Sequence, residues 1–314
     1  KTHRHALPQL VGRPFLADSG LETTLIFHDG IDLPHFASFV LLETEAGRAR
    51  LARYFAEHIR LALDAGTGIV LETPTWRANP DWGARLGYDA ARLAAVNRAA
   101  VAQLAELRAA MQTPASPIVI SGNLGPRGDG YRADARMTAD EAHAYHAPQV
   151  EAFAGSEADL VSVFTINYVE EAIGVALAAR AHGMPVVVSF TVETDGRLPS
   201  GMALGEAIAA TDDATGGYPA YYMLNCAHPS HFAQLFDSGD WQTRLRGVRA
   251  NASRRSHAEL DEATEIDIGD IEELAQGYRQ LAVQLPGLAV VGGCCGTDCR
   301  HVAAIRDTLL GGSA

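Results

Sequence analysis

The stretch ADLVSVFTINYVEEAIGVALAARAHGMPVVVSFT, residues 158–191, decides the fold. It opens with ADLVSVFT (158–165), an apolar run too continuous for a strand with one wet face. An Ala-rich amphipathic segment follows over 169–182, and PVVVSFT (185–191) repeats the apolar run. Strand, helix, strand with both strands fully buried describes two parallel strands joined by a crossover helix.

Working outward, the same alternation fills the chain. Six more runs read as strands: PFLAD (14–18), TGIVLET (67–73), SPIVISG (116–122), PAYYMLN (219–225), LRGVRAN (245–251) and GLAVVGG (287–293). Helices are expected over 45–65, 89–112, 139–155, 203–212, 229–236, 270–284 and 299–309 as well as 169–182. Thr138, followed by Asp140 and Glu141, marks one helix start. Eight strands alternating with eight helices in 314 residues predict a single-domain α/β (β/α)8 TIM barrel over 1–314. The rival, a doubly wound open sheet, puts a glycine-rich phosphate loop after its first strand, and DSGLETT (18–24) is not that fingerprint. The long irregular stretches 19–44, 122–137 and 251–269 all follow strands. In a barrel they fall on the face that carries active sites.

Composition narrows the function. Lys and Arg total 25 and Asp and Glu 38, a formal charge of −13. An acidic surface repels phosphate backbones, so no nucleic-acid partner is expected. No apolar run reaches membrane-spanning length, so no membrane partner is expected either. The opening KTHRHALPQLVGRPF has basic residues but no apolar core, which argues against a signal peptide there. A cytoplasmic location follows as an expectation. Self-association into a homo-oligomer is compatible with the sequence and not required by it.

Four cysteines are too few for a disulfide framework in a chain of this length: Cys226, Cys294, Cys295 and Cys299. The densest signal is GGCCGT (292–297), where the last strand runs into a vicinal Cys294-Cys295 pair among small residues. Cys226 ends the sixth strand, in LNCAHP. Strands six and eight are next-but-one neighbours in a barrel, so all three sulfurs are expected on one rim. Three thiolates suit Zn2+, and three protein ligands with an open fourth position form a catalytic pattern. Buried inert thiols are the alternative. Cys299 sits a turn into the next helix, where a buried thiol is the simpler reading and a fourth ligand the other. Zinc with sulfur ligands is a weak activator of water but holds a further thiol as a nucleophilic thiolate.

GGCCGT, Asn225-Cys226 and DSGLETTL (18–25) together resemble the zinc-dependent homocysteine S-methyltransferases. That family includes the S-methylmethionine and betaine enzymes and the homocysteine module of methionine synthase. PVVVSFTVETDGRLPSG (185–201) and AGTGIVLETPTWRAN (65–79) extend the resemblance over most of the chain. It implies a (β/α)8 barrel, zinc on Cys226, Cys294 and Cys295, and two small-molecule partners, a thiol acceptor and a methyl donor. The donor is expected to be S-methylmethionine or S-adenosylmethionine, and the acceptor homocysteine, giving methionine. Asp18 matches the family's acidic residue at strand one and is expected to face substrate. Four departures stand out: Ser19 replaces a glycine, Glu22 a small residue, Thr73-Pro74-Thr75 a Thr-Asn-Thr, and Phe164 a glutamate that holds the acceptor's amino group. An aromatic ring cannot make that charge-assisted bond. Glu22 or Glu72 is therefore expected to replace it, unless the acceptor itself differs.

Asp18 and Glu22 are the candidate catalytic residues. Glu72, Thr73, Phe164, Asn225 and Asn251 join them as candidates for substrate binding. Asn225 precedes a ligand and could hydrogen-bond a thiolate; Asn251 ends strand seven and could bind a carboxylate or simply make a turn. His228 and His231 flank Pro229 near Cys226 and read as surface or capping residues. Trp76 and Trp82 either wall a donor's cation or pack their loop. The mixed-charge segment RANASRRSHAELDEATEID (249–267) reads as a solvated loop. Two other functions fit the same residues: a zinc-water hydrolase, which three sulfurs disfavour, and a zinc protein that captures thiols without turnover.

Overall fold

A computed structural model describes residues 2–236 and 239–311. Eight parallel strands close into a barrel in sequence order: β1 (Phe15–Ala17), β2 (Ile69–Glu72), β3 (Ile118–Leu124), β4 (Leu160–Ile166), β5 (Val186–Phe190), β6 (Tyr221–Asn225), β7 (Leu245–Ala250) and β8 (Val290–Gly293). Closure comes from β1 on β8, with Phe15 opposite Val290 and Leu16 opposite Val291. Seven long helices surround the strands: α1 (Glu45–Ala65), α2 (Ala90–Met111), α3 (Ala139–Ala154), α4 (Val169–Ala181), α5 (Leu204–Thr215), α6 (Ile271–Gln284) and α7 (Cys299–Leu310).

The helix starts follow local chemistry. Thr138 caps α3 through the Glu141 amide, and Glu141 returns the bond to the Thr138 amide. Asp89 and Asp270 cap α2 and α6. Gly66 ends α1 at φ 58°, a left-handed turn that glycine adopts without strain.

One expected helix is absent. Residues 229–236 form two 3-10 turns, Pro229–His231 and Ala233–Leu235, so β6 reaches β7 without an α-helix. Pro229 fixes the first turn, and its His228 cap accepts from the Ser230 amide. The run is too short to repay helix nucleation.

Strand alternation splits the barrel interior into two levels. The lower is apolar: Val70, Val119, Leu160, Val187 and Met223 pack together with Phe15, Tyr221 and Val290. Two residues further along the same five strands stand Glu72, Ser121, Ser162, Ser189 and Asn225, all buried. Gly247 and Arg249 continue that step on β7. The polar level lies at the carboxyl ends of the strands, which is where a barrel keeps its chemistry.

Outside the barrel, a second apolar layer fills the space between strands and helices, built from residues such as Leu16, Leu71, Ile120, Val163, Val188 and Val291. Both faces of each strand are therefore covered, as the unbroken apolar runs require. Among the described residues no helix is long and apolar enough to cross a membrane.

Candidate active site

The carboxyl ends of the strands open into a cavity of about 450 Å³, a size suited to small molecules. The three loops singled out in the sequence form much of its wall. Residues 19–44 supply Glu22, Phe27 and Phe36, residues 122–137 supply Asp129 and Tyr131, and residues 251–269 supply Asp261, Glu265 and Asp267. The last of these loops is not wholly irregular. It contains the short helix His257–Asp261, capped by Ser256.

At the inner end, the sulfurs of Cys226, Cys294 and Cys295 lie within 4.8 Å of one another. A tetrahedral zinc with Zn–S bonds of about 2.3 Å spaces its sulfurs about 3.8 Å apart, within that spread. Cys226 sits immediately after β6 at φ 55°. The Cys294 amide donates to the Ala250 carbonyl (2.8 Å), and the Cys295 carbonyl accepts from Ala252 (3.1 Å). The vicinal pair is thus pinned to β7. Gly296 then turns the chain at φ 79°, and Gly20 leaves no room for a side chain, since a Cβ there would lie 2.5 Å from the Cys294 carbonyl oxygen. Hydrogen bonds from the other two thiols hold Cys294 well below the ordinary thiol range, helped by the Arg249 charge. That thiolate in turn pushes Cys226 and Cys295 upward. One readily formed thiolate flanked by two thiols is a donor set that releases protons as it takes up a soft cation.

Cys299 is not part of this cluster. Its sulfur lies 3.6 Å from His58 Nε2 and 3.7 Å from Glu57 Oε2, and burial raises it to about 12. The fourth-ligand alternative therefore gives way to a packed thiol. His228 and His231 are not ligands either. Both are buried rather than at the surface; His228 caps its turn and His231 Nε2 bonds the Arg254 carbonyl (2.8 Å).

Asp18, Glu22, Glu72, Thr73, Phe164 and Asn225 all line the cavity. Asp18 is ion-paired with Arg249. Arg249 also donates from Nε to Gly293 O (2.9 Å) and from Nη2 to Ser19 O (3.0 Å). Burial disfavours the Arg249 charge, but Asp18, Glu72 and Cys294 outweigh it and hold the guanidinium above its ordinary value. Glu22 accepts from Ser38 Oγ (2.7 Å), and burial pushes its carboxyl up.

Glu72 is different. Ser162 Oγ donates to its Oε1 (3.2 Å), while its Oε2 is buried with no partner among the described residues. Burial pushes Glu72 up to about 7, against the pull of Arg249 and the serine hydroxyls. A buried carboxylate oxygen without a donor is costly and is normally satisfied by a ligand, water or ion. Phe164 lines the same cavity, its ring 5.3 Å from the Arg249 guanidinium.

Thr73 ties the loop after β2 to β3, bonding Thr75 Oγ1 (2.7 Å) and accepting from the Asn123 amide (2.8 Å). Asn251 does not line the cavity. It is buried, its amide donates to Ala227 O (3.1 Å), and its Oδ1 has no partner among the described residues. β7 ends at Ala250, one residue earlier than expected, so Asn251 lies just past the strand.

Three residues escaped the sequence reading. Arg249 carried a signal: a charge in step with the interior-facing positions of LRGVRAN. Tyr131 carried none; its hydroxyl lies 3.9 Å from Cys295 Sγ and its ring stacks on His257 at 4.0 Å. Arg77 lies between the two tryptophans rather than leaving them to a ligand. In all, seven carboxylates (Asp18, Glu22, Glu72, Asp129, Asp261, Glu265, Asp267) and two guanidiniums line the cavity.

Comparison with known proteins agrees with this geometry. The sequence pattern of the family described as Homocysteine S-methyltransferase matches residues 15–309. The Homocysteine S-methyltransferase of Escherichia coli strain K12 is 28% identical over 249 residues, covering 74% of this chain and 77% of that protein. Two solved structures of the Escherichia coli homocysteine methyltransferase MmuM share the fold at 22% identity. The oxidized form superposes with a TM-score of 0.76 over 98% of this chain and 99% of that one, and the metallated form with 0.73 over 94% and 96%. A barrel with three sulfurs at the mouth, matched by the family pattern along nearly its whole length, belongs to the homocysteine S-methyltransferase family and is a methyltransferase.

Proposed function

We propose that this enzyme moves a methyl group from a small sulfonium donor, S-methylmethionine or S-adenosylmethionine in type, to the thiol of homocysteine, giving methionine. Cys226, Cys294 and Cys295 would hold a zinc ion. When bound, the ion supplies a deprotonated acceptor sulfur at neutral pH. The observation that carries the reading is three converging sulfurs at the inner end of a cavity lined by seven carboxylates and two guanidiniums. Thiolate chemistry sits at the bottom, and a field favouring a cation surrounds it.

The chain's own residues do the rest. The unpartnered Oε2 of Glu72 accepts the acceptor's ammonium, the task that Phe164 cannot perform. Arg249 holds the Asp18 carboxyl in place beside the strand-one turn through their ion pair. Asn225 holds the β4 and β6 ends in place. Tyr131, with Trp76 and the aromatic residues of the first loop, narrows the opening and excludes water. In the transfer, the acceptor sulfur's electron pair forms the new S–CH3 bond while the donor's S–CH3 bond breaks. Its electrons return to the donor sulfur, which leaves as a neutral thioether. The acceptor's thiol proton has gone to solvent beforehand. Alignment of the two sulfurs with the methyl between them is the main source of rate.

A second reading, the same chemistry on another thiol, draws on Phe164 and on the engagement of Asp18 by Arg249. Both change the surroundings of the acceptor. We also place the enzyme in the cytoplasm, where reducing conditions keep vicinal thiols available for metal.

The test is methyl transfer by freshly reduced, zinc-loaded protein. Homocysteine is supplied with S-methylmethionine and separately with S-adenosylmethionine, methionine is measured by mass spectrometry, and Cys294→Ala is the control. Zinc-dependent methionine that vanishes in the control supports the reading. Zinc-replete protein that makes none, but methylates another thiol in a panel, moves the reading to that acceptor.

A further inference from the structure

Among the described residues three arginines are buried: Arg77, Arg108 and Arg249. Two have carboxylate partners. Arg108 pairs with Asp159 at 2.7 Å, and Arg249 with Asp18. Arg77, 8% exposed, has none within ion-pair reach among the described residues. Its guanidinium carbon lies 4.1 Å from the centre of the Trp76 ring and 3.9 Å from that of Trp82. The two indoles therefore cover the guanidinium and leave its edge. On that edge Nη1 donates to Gly128 O at 3.2 Å, and Nε has no partner.

Indole faces stabilise a cation without neutralising it. A buried cation lacking a counter-charge is expensive to keep. Asp129 and Glu22 act on Arg77 only through space, and burial lowers its pKa to about 10. The residue nevertheless lines the cavity, on the loop that follows β2. The planar edge of a guanidinium matches a carboxylate in two parallel hydrogen bonds.

The geometry points to Arg77 as a carboxylate-binding subsite in the loop wall of the cavity, one that takes the carboxylate of the methyl donor. This rests on the methyl-transfer reading for the identity of the ligand. It separates donors that carry a carboxylate from sulfonium ions that do not. Homocysteine also carries a carboxylate, but its ammonium is assigned to Glu72, whose charged neighbours are Arg249 and Asp18, whereas Arg77 has Asp129 and Glu22 around it.

The test needs no turnover. Trp76 and Trp82 flank the subsite, so tryptophan fluorescence of zinc-loaded protein reports occupancy. The probes are S-methylmethionine and its α-amide, and then homocysteine and its amide. The wild type is expected to bind S-methylmethionine about 30-fold tighter than the amide, the weight of a charge-assisted contact. In Arg77→Met that ratio is expected to fall to about threefold or less, while the homocysteine ratio holds. Arg77→Lys, which keeps the charge without the planar fork, is expected to fall between, and it decides the matter if the methionine variant does not fold. Equal binding of acid and amide by the wild type overturns the inference. So does a ratio that survives in Arg77→Met, or a collapse confined to homocysteine. Carboxylate-dependent binding without any methionine formed leaves this subsite standing and removes the methyl-transfer reading. Turnover indifferent to the donor's carboxylate does the reverse.

Discussion

Asn225 and Thr165 grip each other from both ends. Asn225 Oδ1 accepts from the Thr165 amide at 2.9 Å, and Asn225 Nδ2 donates to Thr165 Oγ1 at 2.8 Å. Thr165 is held at φ 64°, a left-handed conformation that a β-branched residue adopts only under constraint. The next residue after Asn225 is Cys226, itself at φ 55°. The register of β4 on β5 shifts between Val163 and Ile166, and the side chain that holds Thr165 in that stretch also sets the approach to a sulfur. Asn225→Ala is expected to weaken zinc binding about 10- to 100-fold, as loss of a supporting residue near a metal does. Chelator competition measures it. Ser189→Ala, which removes only the bond from Ser189 Oγ to Asn225 (2.7 Å), should weaken it much less.

The three sulfurs should titrate as one site. Alanine at Cys226, Cys294 or Cys295 is expected to reduce bound zinc from about one ion per chain to a small fraction, because two thiolates do not complete a protein zinc site. Cys299→Ala should leave the metal content unchanged, since that sulfur packs against His58 and Glu57. Metal analysis after gel filtration separates the outcomes.

Glu72 makes stability and binding depend on pH in opposite directions. Its folded pKa of about 7 lies above the ordinary 4.5. Between those values the folded state binds more protons than the unfolded state, so stability falls as pH rises. The contribution is fully present below about 4.5 and lost as pH passes through 7. Glu72→Gln should therefore gain on the wild type by roughly 2–3 kcal/mol between pH 5 and pH 8. Urea denaturation at the two pH values checks it. Over the same range the wild type's KM for homocysteine should fall as the carboxylate ionises. In Glu72→Gln it should be raised about tenfold or more and lose that pH dependence.

Removing Arg249 strands a buried acid. Arg249→Met is expected to cost about 3–5 kcal/mol, the price of leaving Asp18 without its counter-charge. Asp18→Asn combined with Arg249→Met should recover a large part of that loss. A double-mutant cycle by chemical denaturation gives the coupling.

The architecture was legible because parallel strands buried on both faces leave unbroken apolar runs. All eight appear in the barrel at nearly the expected places. The sulfur cluster was legible for a related reason: strand ends in a barrel share a rim, so Cys226 and the Cys294-Cys295 pair had to converge. Where the reading slipped, tertiary context decided. The segment 229–236 carries helix-compatible residues, but Pro229 and the short span to β7 leave only 3-10 turns. Asn251, open in the sequence between a carboxylate contact and a turn, is not among the residues lining the cavity, and the interior step on β7 belongs to Arg249. The tryptophans were read for their ring faces, and the residue those faces cover is their own neighbour, Arg77. Tyr131 reaches the sulfurs from a loop with no periodicity to read.

Barrel closure has a temporal meaning for a chain made from its amino end. Phe15 finds Val290 only after the eighth strand has been synthesised. Asp18, at the edge of the first strand, meanwhile lacks the Arg249 that will neutralise it, and Cys226 emerges long before its two partner sulfurs. The three-sulfur cluster comes into being with the eighth strand, in the same event that joins the ends of the sheet. A fragment ending before residue 290 is deprived of that seam and of two of the three sulfurs at once.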